Sequence, residues 1–226
     1  VGGVVGNNSG LVEDSAFRST VAYSNLGDRV GGVVGYNSSG VIRGCQSTGS
    51  VYGINAIGGI VGHNATGTVE RCFSSGRVGY AAAAGSEAGG LVGVNGELPA
   101  PGKRYDPASI RRSYSTATVY GSREAGGFVG TNQHNGTIDD AYATGVIVAQ
   151  CGRADLYVGG FAARNYGDIN RVYAAGCVRP NDARSGGCRN QAATLWPCGS
   201  GGLVGTGRGG STRDSYWNTA TTGLSA

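Results

Sequence analysis

The chain has 226 residues, 39 % of them apolar and only 14 % charged, enough to bury one core or one elongated array and unlike a charge-driven disordered tail. Glycine reaches 45 residues against 5 prolines, which excludes collagen and stiff Pro-rich linkers and implies glycine at defined positions. The net charge of +4 comes without a basic run, so no nucleic-acid partner is expected, and no apolar stretch approaches the ~20 residues that cross a bilayer.

Val1 opens inside an apolar phrase and the sequence contains no methionine, so a processed or excised segment is expected, with any targeting signal upstream. That phrase then returns: GGVVGNN at 2–8, GGVVGYN at 31–37, GGIVGHN at 58–64, GGLVGVN at 89–95, GGFVGTN at 126–132, GGFAARN at 159–165 and GGLVGTG at 201–207. Self-similarity at this spacing is the signature of a repeat architecture. A second phrase follows each start, as in GVIRGCQSTGSV, GTVERCFSSGRV, GTIDDAYATGVI and GDINRVYAAGCV. Its period of two, its β-branched residues and its boundary glycines predict strands of three to six residues and no useful helix.

So small a unit cannot bury its own apolar side, so copies must stack strand on like strand. The expected fold is all-β, a parallel β-helix (β-solenoid) of about seven coils, right-handed by default, filling 1–226 as one array. Glycine would serve corners that need positive φ or close backbone approach. Insertions at 97–109 and 179–200 would project as loops, and 211–226 would close the array.

The paired phrases, GG-apolar-Val-Gly-x-Asn and then Gly-x-apolar-x-x-small-Tyr-Ala/Ser-Thr/Ser-Gly-x-Val, resemble the GLUG repeat across essentially the whole chain. The closing SYWNTATTGLSA at 215–226 is similar to the segment with which such arrays end. Ala162-Ala163 and Gly207 depart from the pattern. The resemblance implies an extracellular or bacterial cell-surface β-solenoid, as in filamentous-haemagglutinin-like adhesins and the non-catalytic regions of some immunoglobulin A-cleaving peptidases.

Asn8, Asn37, Asn64, Asn95, Asn132 and Asn165 would fall in register at one corner, where asparagine bonds nearby backbone; a structural ladder is expected. Asn7, Asn37, Asn64 and Asn135 also lie in glycosylation sequons. Ser15, Cys45, Cys72, Ser113, Ala141, Val172 and Ser215 share an inward position. Cys45 and Cys72 would then occupy adjacent coils within disulfide range, as a bridge or as packed free thiols. Cys151, Cys177, Cys188 and Cys198 cluster near the 179–200 insertion, with Cys188 to Cys198 as the preferred bridge. No zinc site is expected, because no C-x₂-C pair or suitably spaced histidine accompanies them. Phe73, Tyr114, Tyr142, Tyr173 and Tyr216 would form a strip that either stacks on sugars or, as favoured here, packs on itself.

The polar pairs before these aromatics run from Glu13-Asp14 to Arg213-Asp214 and change sign between coils, which reads as a solvated face with pairing between neighbours. Asp139, Asp140 and Arg171 could form an acidic-basic cluster of the kind that cleaves polysaccharides, but His63 and His134 make no H-E-x-x-H and no G-x-S-x-G elbow occurs. The expected function is therefore non-catalytic, with no cofactor and no metal: an extracellular structural or adhesive scaffold presenting loops. The alternatives are a filament subunit stacking head to tail and a polysaccharide-binding or polysaccharide-cleaving β-helix. Expected partners are copies of itself, upstream parts of a longer surface protein, or host glycans and proteins.

Overall fold

The computed structural model describes residues 1–22, 28–79, 86–121, 123–149, 156–180, 199–207 and 209–222. They form a parallel β-solenoid with four sheets. Each complete turn runs through sheet A, sheet B, sheet C and sheet D. The second described turn takes Asp28–Gly31, Val34–Asn37, Val41–Arg43 with Gln46–Ser47, and Ser50–Tyr52 in that order. The next takes Asn55–Gly58, Val61–Asn64, Thr68–Glu70 with Phe73–Ser74, and Arg77–Val78.

Sheet B has seven strands, from Val5–Asn8 to Val204–Gly207; sheets A and D have six each, and sheet C has twelve short segments. Five turns contribute to all four sheets among the described residues, flanked by a first turn without a sheet A strand and a last one without a sheet D strand. About seven coils are expected from the sequence, and the complete turns among the described residues are five. Every pairing is parallel and in register, Val34 with Val61, Val61 with Val92, Val92 with Val129. The one described helix is Thr219–Thr222, and no described helix is long and apolar enough to cross a membrane.

Two cores run the length of the array. Between sheets B and C, Val33, Ile60, Leu91, Phe128 and Phe161 meet Ile42, Val69, Ile110, Ile138 and Ile169. Phe128 and Phe161 stack with ring centroids 4.6 Å apart. Between sheets A and D, Val30, Ile57 and Val158 meet Val51, Val78, Val119 and Ile147. Burial of such side chains contributes about 1.5–3 kcal/mol each, which a single turn could not accumulate alone.

The double glycine is the A-to-B corner, and the cause there is close approach. A Cβ on Gly59 would lie 2.6 Å from Ser74 Cβ and closer still to the Gly90 carbonyl of the next turn. A Cβ on Gly62 would lie 2.5 Å from Arg29 C and 2.6 Å from Val30 N, so sheet A lies directly on the back of sheet B with no room for side chains. Positive φ falls elsewhere, mostly on residues other than glycine. Asp14, Arg71, Arg112, Asp140, Arg171 and Asp214 have φ between 46° and 53°, and Gly44 stands at 65°. These are the second members of the polar pairs, one per turn, and they bend sheet C; at the six positions that are not glycine this costs of order 1–3 kcal/mol each, which the surrounding stack must offset.

Residues at the edges of the two expected insertions take part in the sheets. Sheet C resumes at Ala108, Arg179 and Pro180 pair in sheet D, and Gly199 and Ser200 pair in sheet A. Val178–Pro180 and Gly199–Gly201 are the last described strands of sheets D and A. Residues 181–198 lie outside the described residues.

Candidate functional site

Four rows of side chains run along the array, and each was a candidate in the sequence. The first is the asparagine row at the B-to-C corner. Asn8 Nδ2 donates to Asn37 Oδ1 at 2.9 Å, Asn37 to Asn64 at 2.8 Å, Asn64 to Asn95 at 2.8 Å, Asn95 to Asn132 at 2.8 Å and Asn132 to Asn165 at 2.9 Å. The second hydrogen of each amide goes to a backbone carbonyl: Gly10, Gly40, Gly67, Ala108 and Gly136 in turn. Gly207 stands where a seventh asparagine would, and Asn165 donates instead to Ser211 O at 3.0 Å and Thr212 Oγ1 at 3.4 Å. The row is buried and its amides are spent on structure. Asn37 and Asn64 therefore offer no free amide for glycosylation.

The second row is the inward small position on sheet C. Ser15, Ser113 and Ser215 hydroxyls donate to the carbonyl two residues back, Glu13, Arg111 and Arg213. Cys45 and Cys72 thiols do the same, each 3.3 Å from Arg43 O and Glu70 O. They are free thiols, fully buried in adjacent turns, so of the two sequence alternatives the structure has packed thiols rather than a bridge. Their contact lowers the pKa of Cys45, while the same contact and burial push that of Cys72 up. Cys177 is not a free thiol; Cys151, Cys188 and Cys198, including the preferred 188–198 bridge, lie outside the described residues.

The third row is the polar face of sheet C. Arg43 pairs with Glu13 at 2.6 Å, Arg111 and Arg112 reach Glu70 at 3.1 and 3.2 Å, and Arg171 reaches Asp140 at 2.6 Å and Asp139 at 3.4 Å. Asp139, Asp140 and Arg171 are thus brought together, as an exposed ion pair. Hydrogen bonding from Arg171 holds Asp140 below the usual carboxylate range, and Arg111 does the same to Glu70. An acid catalyst needs a carboxyl pushed the other way.

The fourth row is aromatic. Phe73 stacks on Tyr114 at 5.2 Å and Tyr114 on Tyr142 at 4.8 Å, with ring planes within 8° of parallel. These rings cover one another's faces, so Phe73, Tyr114 and Tyr142 present edges rather than the flat platforms on which sugars stack. Tyr173 and Tyr216 continue the register and are exposed.

A fifth feature has no counterpart in the sequence reading. Where the starts of the sheet A strands lie against the ends of the sheet B strands there is a cleft of about 270 Å³ lined by Asp28, Arg29, Asn55, Ala56, His63, Glu87, Val94, Gly96, Glu97, Leu98 and Gln133. Four successive turns supply these residues. Sheet A brings Arg29, Ala56 and Glu87, all with positive φ, and sheet B brings His63, in register with Tyr36 and Val94. His63 Nε2 donates to Gly96 O at 2.8 Å, which fixes the hydrogen on that nitrogen because a carbonyl only accepts. Burial lowers the His63 pKa despite Glu97 Oε1 at 3.7 Å. Tyr36 Oη donates to Glu97 at 3.2 Å, packs edge-on against His63 at 5.3 Å and carries the Arg29 guanidinium 4.5 Å above its ring.

Glu87 is pushed up to about 7, chiefly by burial and secondarily by the Glu124 carboxylate. Glu124 itself is engaged by Arg164 at 3.1 Å and by the Thr131 hydroxyl. Among the described residues no three His, Cys, Asp or Glu side chains come close enough to hold a metal ion. The cleft therefore offers hydrogen-bond acceptors, a neutral imidazole and one guanidinium already stacked on an aromatic ring.

The comparisons with known proteins bear on the scaffold. The GLUG motif matches residues 27–52, 53–79 and 121–148. Each match begins just before a sheet A strand and ends in or just after sheet D, so one motif is one turn. A solved structure of similar fold is that of a "putative immunoglobulin A1 protease" from Bacteroides ovatus, at 21 % identity and a TM-score of 0.63, covering 92 % of this chain and 57 % of that one. This chain thus spans less than two thirds of that protein's length. No curated protein matches the chain.

Proposed function

The chain is a GLUG-repeat β-solenoid, and from that premise we propose that it is a non-catalytic structural and adhesive arm of an extracellular surface protein. The observation that carries this reading is the mutual engagement of its outward rows. Charges on sheet C pair between turns and the rings of Phe73, Tyr114 and Tyr142 stack on one another, so side chains a hydrolase would leave available for substrate are spent on axial stiffness. Attachment is then the task of segments that leave the stack, foremost the insertion between Asn95 and Ala108.

The test is product release. The chain is incubated with a polysaccharide panel and with peptides, and reducing ends and new amino termini are counted. No turnover is expected, and binding to cells or glycans should fall when residues 98–106 are replaced by a short Gly/Ser link. Turnover that disappears in Asp139→Asn, Asp140→Asn or Arg171→Ala would overturn the non-catalytic reading. Unchanged binding after loop replacement would overturn the loop assignment.

A further inference from the structure

The outward side of sheet C satisfies itself over most of its length and stops doing so in the last two described turns. Thr137, Asp168 and Ser211 stand in register there, and beside them Asp139, Asn170 and Arg213. They alternate with Ile138 and Ile169, which are buried in the core, so the row faces outward. Together the six line a groove of about 270 Å³.

Two breaks in the pattern of the array coincide at this groove. The first is in charge. Arg43 and Arg111 each reach the carboxylate at the same position one turn before, Glu13 and Glu70. Arg213 meets Asn170 at that position, and its guanidinium makes no hydrogen bond or ion pair among the described residues. The second break is in the rings. Phe73, Tyr114 and Tyr142 stack in succession, but Tyr173, in register with Tyr142 on one side and Tyr216 on the other, makes no ring contact with either among the described residues. Tyr173 is 40 % exposed and Tyr216 68 %. Each follows a groove residue by three positions, Asn170 and Arg213 in turn, which at about 3.3 Å per residue keeps ring and groove within about 10 Å along the chain.

We infer that this surface binds a neutral oligosaccharide, with the rings of Tyr173 and Tyr216 against sugar faces and the side chains of Asp168 and Arg213 bonded to hydroxyls. A pyranose presents an apolar face of C–H groups and a rim of hydroxyls that both donate and accept; exposed aromatic rings beside a few fixed polar groups answer both. Asp168 Oδ1 takes the Ser211 hydroxyl at 2.6 Å, which leaves its other oxygen as an acceptor, and the Arg213 guanidinium only donates. Between them they serve both roles of neighbouring hydroxyls. Charge selects against charged sugars. Asp139 is already engaged by Asn170 at 3.2 Å and Arg171 at 3.4 Å, so Asp168 and Arg213 remain, one of each sign. A uronate would meet the carboxylate of the first, and an amino sugar the guanidinium of the second. This surface is separate from the insertion between Asn95 and Ala108 to which attachment is assigned above, and either assignment can fail without the other.

The experiment is a calorimetric titration of the intact chain with oligosaccharides of six units, tyrosine fluorescence being followed in parallel. Maltohexaose, cellohexaose and the N-acetylglucosamine hexamer are the neutral probes; the galacturonate and glucosamine hexamers are the charged ones. At least one neutral hexamer should bind with a Kd below about 1 mM, and both charged ones at least about tenfold more weakly. Tyr173→Ala and Tyr216→Ala should each weaken binding about tenfold, the scale of a lost aromatic contact, while Tyr173→Phe and Tyr216→Phe, which keep the ring, should bind as the parent does. Arg213→Gln should weaken binding as well. All five positions of change are exposed ones, and circular dichroism verifies that each variant folds. Replacing residues 98–106 by a Gly/Ser link should leave this binding unchanged.

No binding of any neutral hexamer up to about 10 mM, preference for a charged hexamer, or equal loss in the Phe and Ala variants would overturn the inference. Neutral binding that disappears with residues 98–106 and survives both tyrosine-to-alanine changes would overturn it too, and would leave the loop assignment standing.

Discussion

Replacing Asn64 with alanine is the most informative single perturbation of this scaffold. The side chain is fully buried. It accepts from Asn37 Nδ2 at 2.8 Å, donates to Asn95 Oδ1 at 2.8 Å and donates to Gly67 O at 3.0 Å. Asn64→Ala therefore strands a donor above, an acceptor below and a carbonyl beside it, where water has no entry without distortion. The expected loss is about 3–5 kcal/mol, taking about 1–3 kcal/mol for each buried group left unsatisfied and allowing partial relaxation. Against a typical domain stability of about 5–15 kcal/mol this is severe.

Asn8→Ala supplies the internal scale: it removes bonds to Asn37 and Gly10 in the first described turn, and should cost no more than half as much. Asn64→Asp separates hydrogen bonding from packing. Its carboxylate can still accept from Asn37 but would face Asn95 Oδ1 and Gly67 O, acceptor against acceptor, so it should be worse than alanine at neutral pH and recover as acid restores a donor. Urea unfolding followed by circular dichroism reads the totals. Amide exchange in Val61–Asn64 and Val92–Asn95 guards against the loss of two-state behaviour that repeat arrays show. A cost below about 1 kcal/mol for Asn64→Ala, equal to that of Asn8→Ala, would refute the reasoning, since it would place the row among ordinary surface hydrogen bonds.

The other expectations follow from the same geometry. Gly59→Ala should prevent accumulation of folded chain, because the new methyl group meets the Gly90 carbonyl and Ser74; Gly10→Ala, with nothing within 4 Å, should be within about 0.5 kcal/mol of the parent by thermal melting. Cys72→Ser should be well tolerated, since serine at 113 makes the same bond to the carbonyl two residues back, whereas Cys72→Ala should lower the melting temperature; a thiol reagent should label Cys45 and Cys72 only after unfolding. Glu87 introduces a pH dependence: its folded pKa, raised from its usual 4.5 to about 7 by burial, with Glu124 and Asp28 raising and Arg164 and Arg123 lowering it, means the native state holds the proton more tightly than the unfolded chain. Stability attributable to it is therefore fully present below about 4.5, falls as pH rises and levels off above about 7. Denaturation midpoints of Glu87→Gln should lack that decline, and a decline of equal size in the variant would sink the assignment.

Much of the scaffold was legible in the sequence because a solenoid repeats its solution. Asn8, Asn37, Asn64, Asn95, Asn132 and Asn165 stand six residues after each first glycine, so stacking in register brings their amides together without further information. Sheet A was harder to see. Its strands run into the double glycine as DRVG, NAIG, SEAG and EAG, too short and too varied before their last two positions to show a period. The bends of sheet C were hidden for a related reason: left-handed positions are sought at glycine and asparagine, yet here Asp, Arg and once glycine occupy them, and parallel pairing on both sides imposes the conformation.

Cys45 and Cys72 illustrate a third limit, since spacing alone could not distinguish a bridge from two thiols that replace serine hydroxyls. The cleft was illegible altogether. Asp28 and Gln133 are far apart in sequence, and their meeting depends on how closely glycines such as Gly62 let sheet A approach sheet B.

The asparagine row also gives the molecule an electrical direction. In the backbone ladders, bonds along the axis run both ways: Val4 N donates forward to Val33 O while Ser38 N donates back to Asn8 O, so their dipoles largely cancel. The side-chain amides do not alternate. From Asn8 to Asn165 each places its positive NH₂ end against the oxygen of the next. The row is thus a filament of aligned dipoles with an acceptor-rich start and a donor-rich finish. Its two ends are closed within the chain, at Gly10 N and at Ser211 O, so the row carries an internal arrow that the parallel sheets alone would not supply.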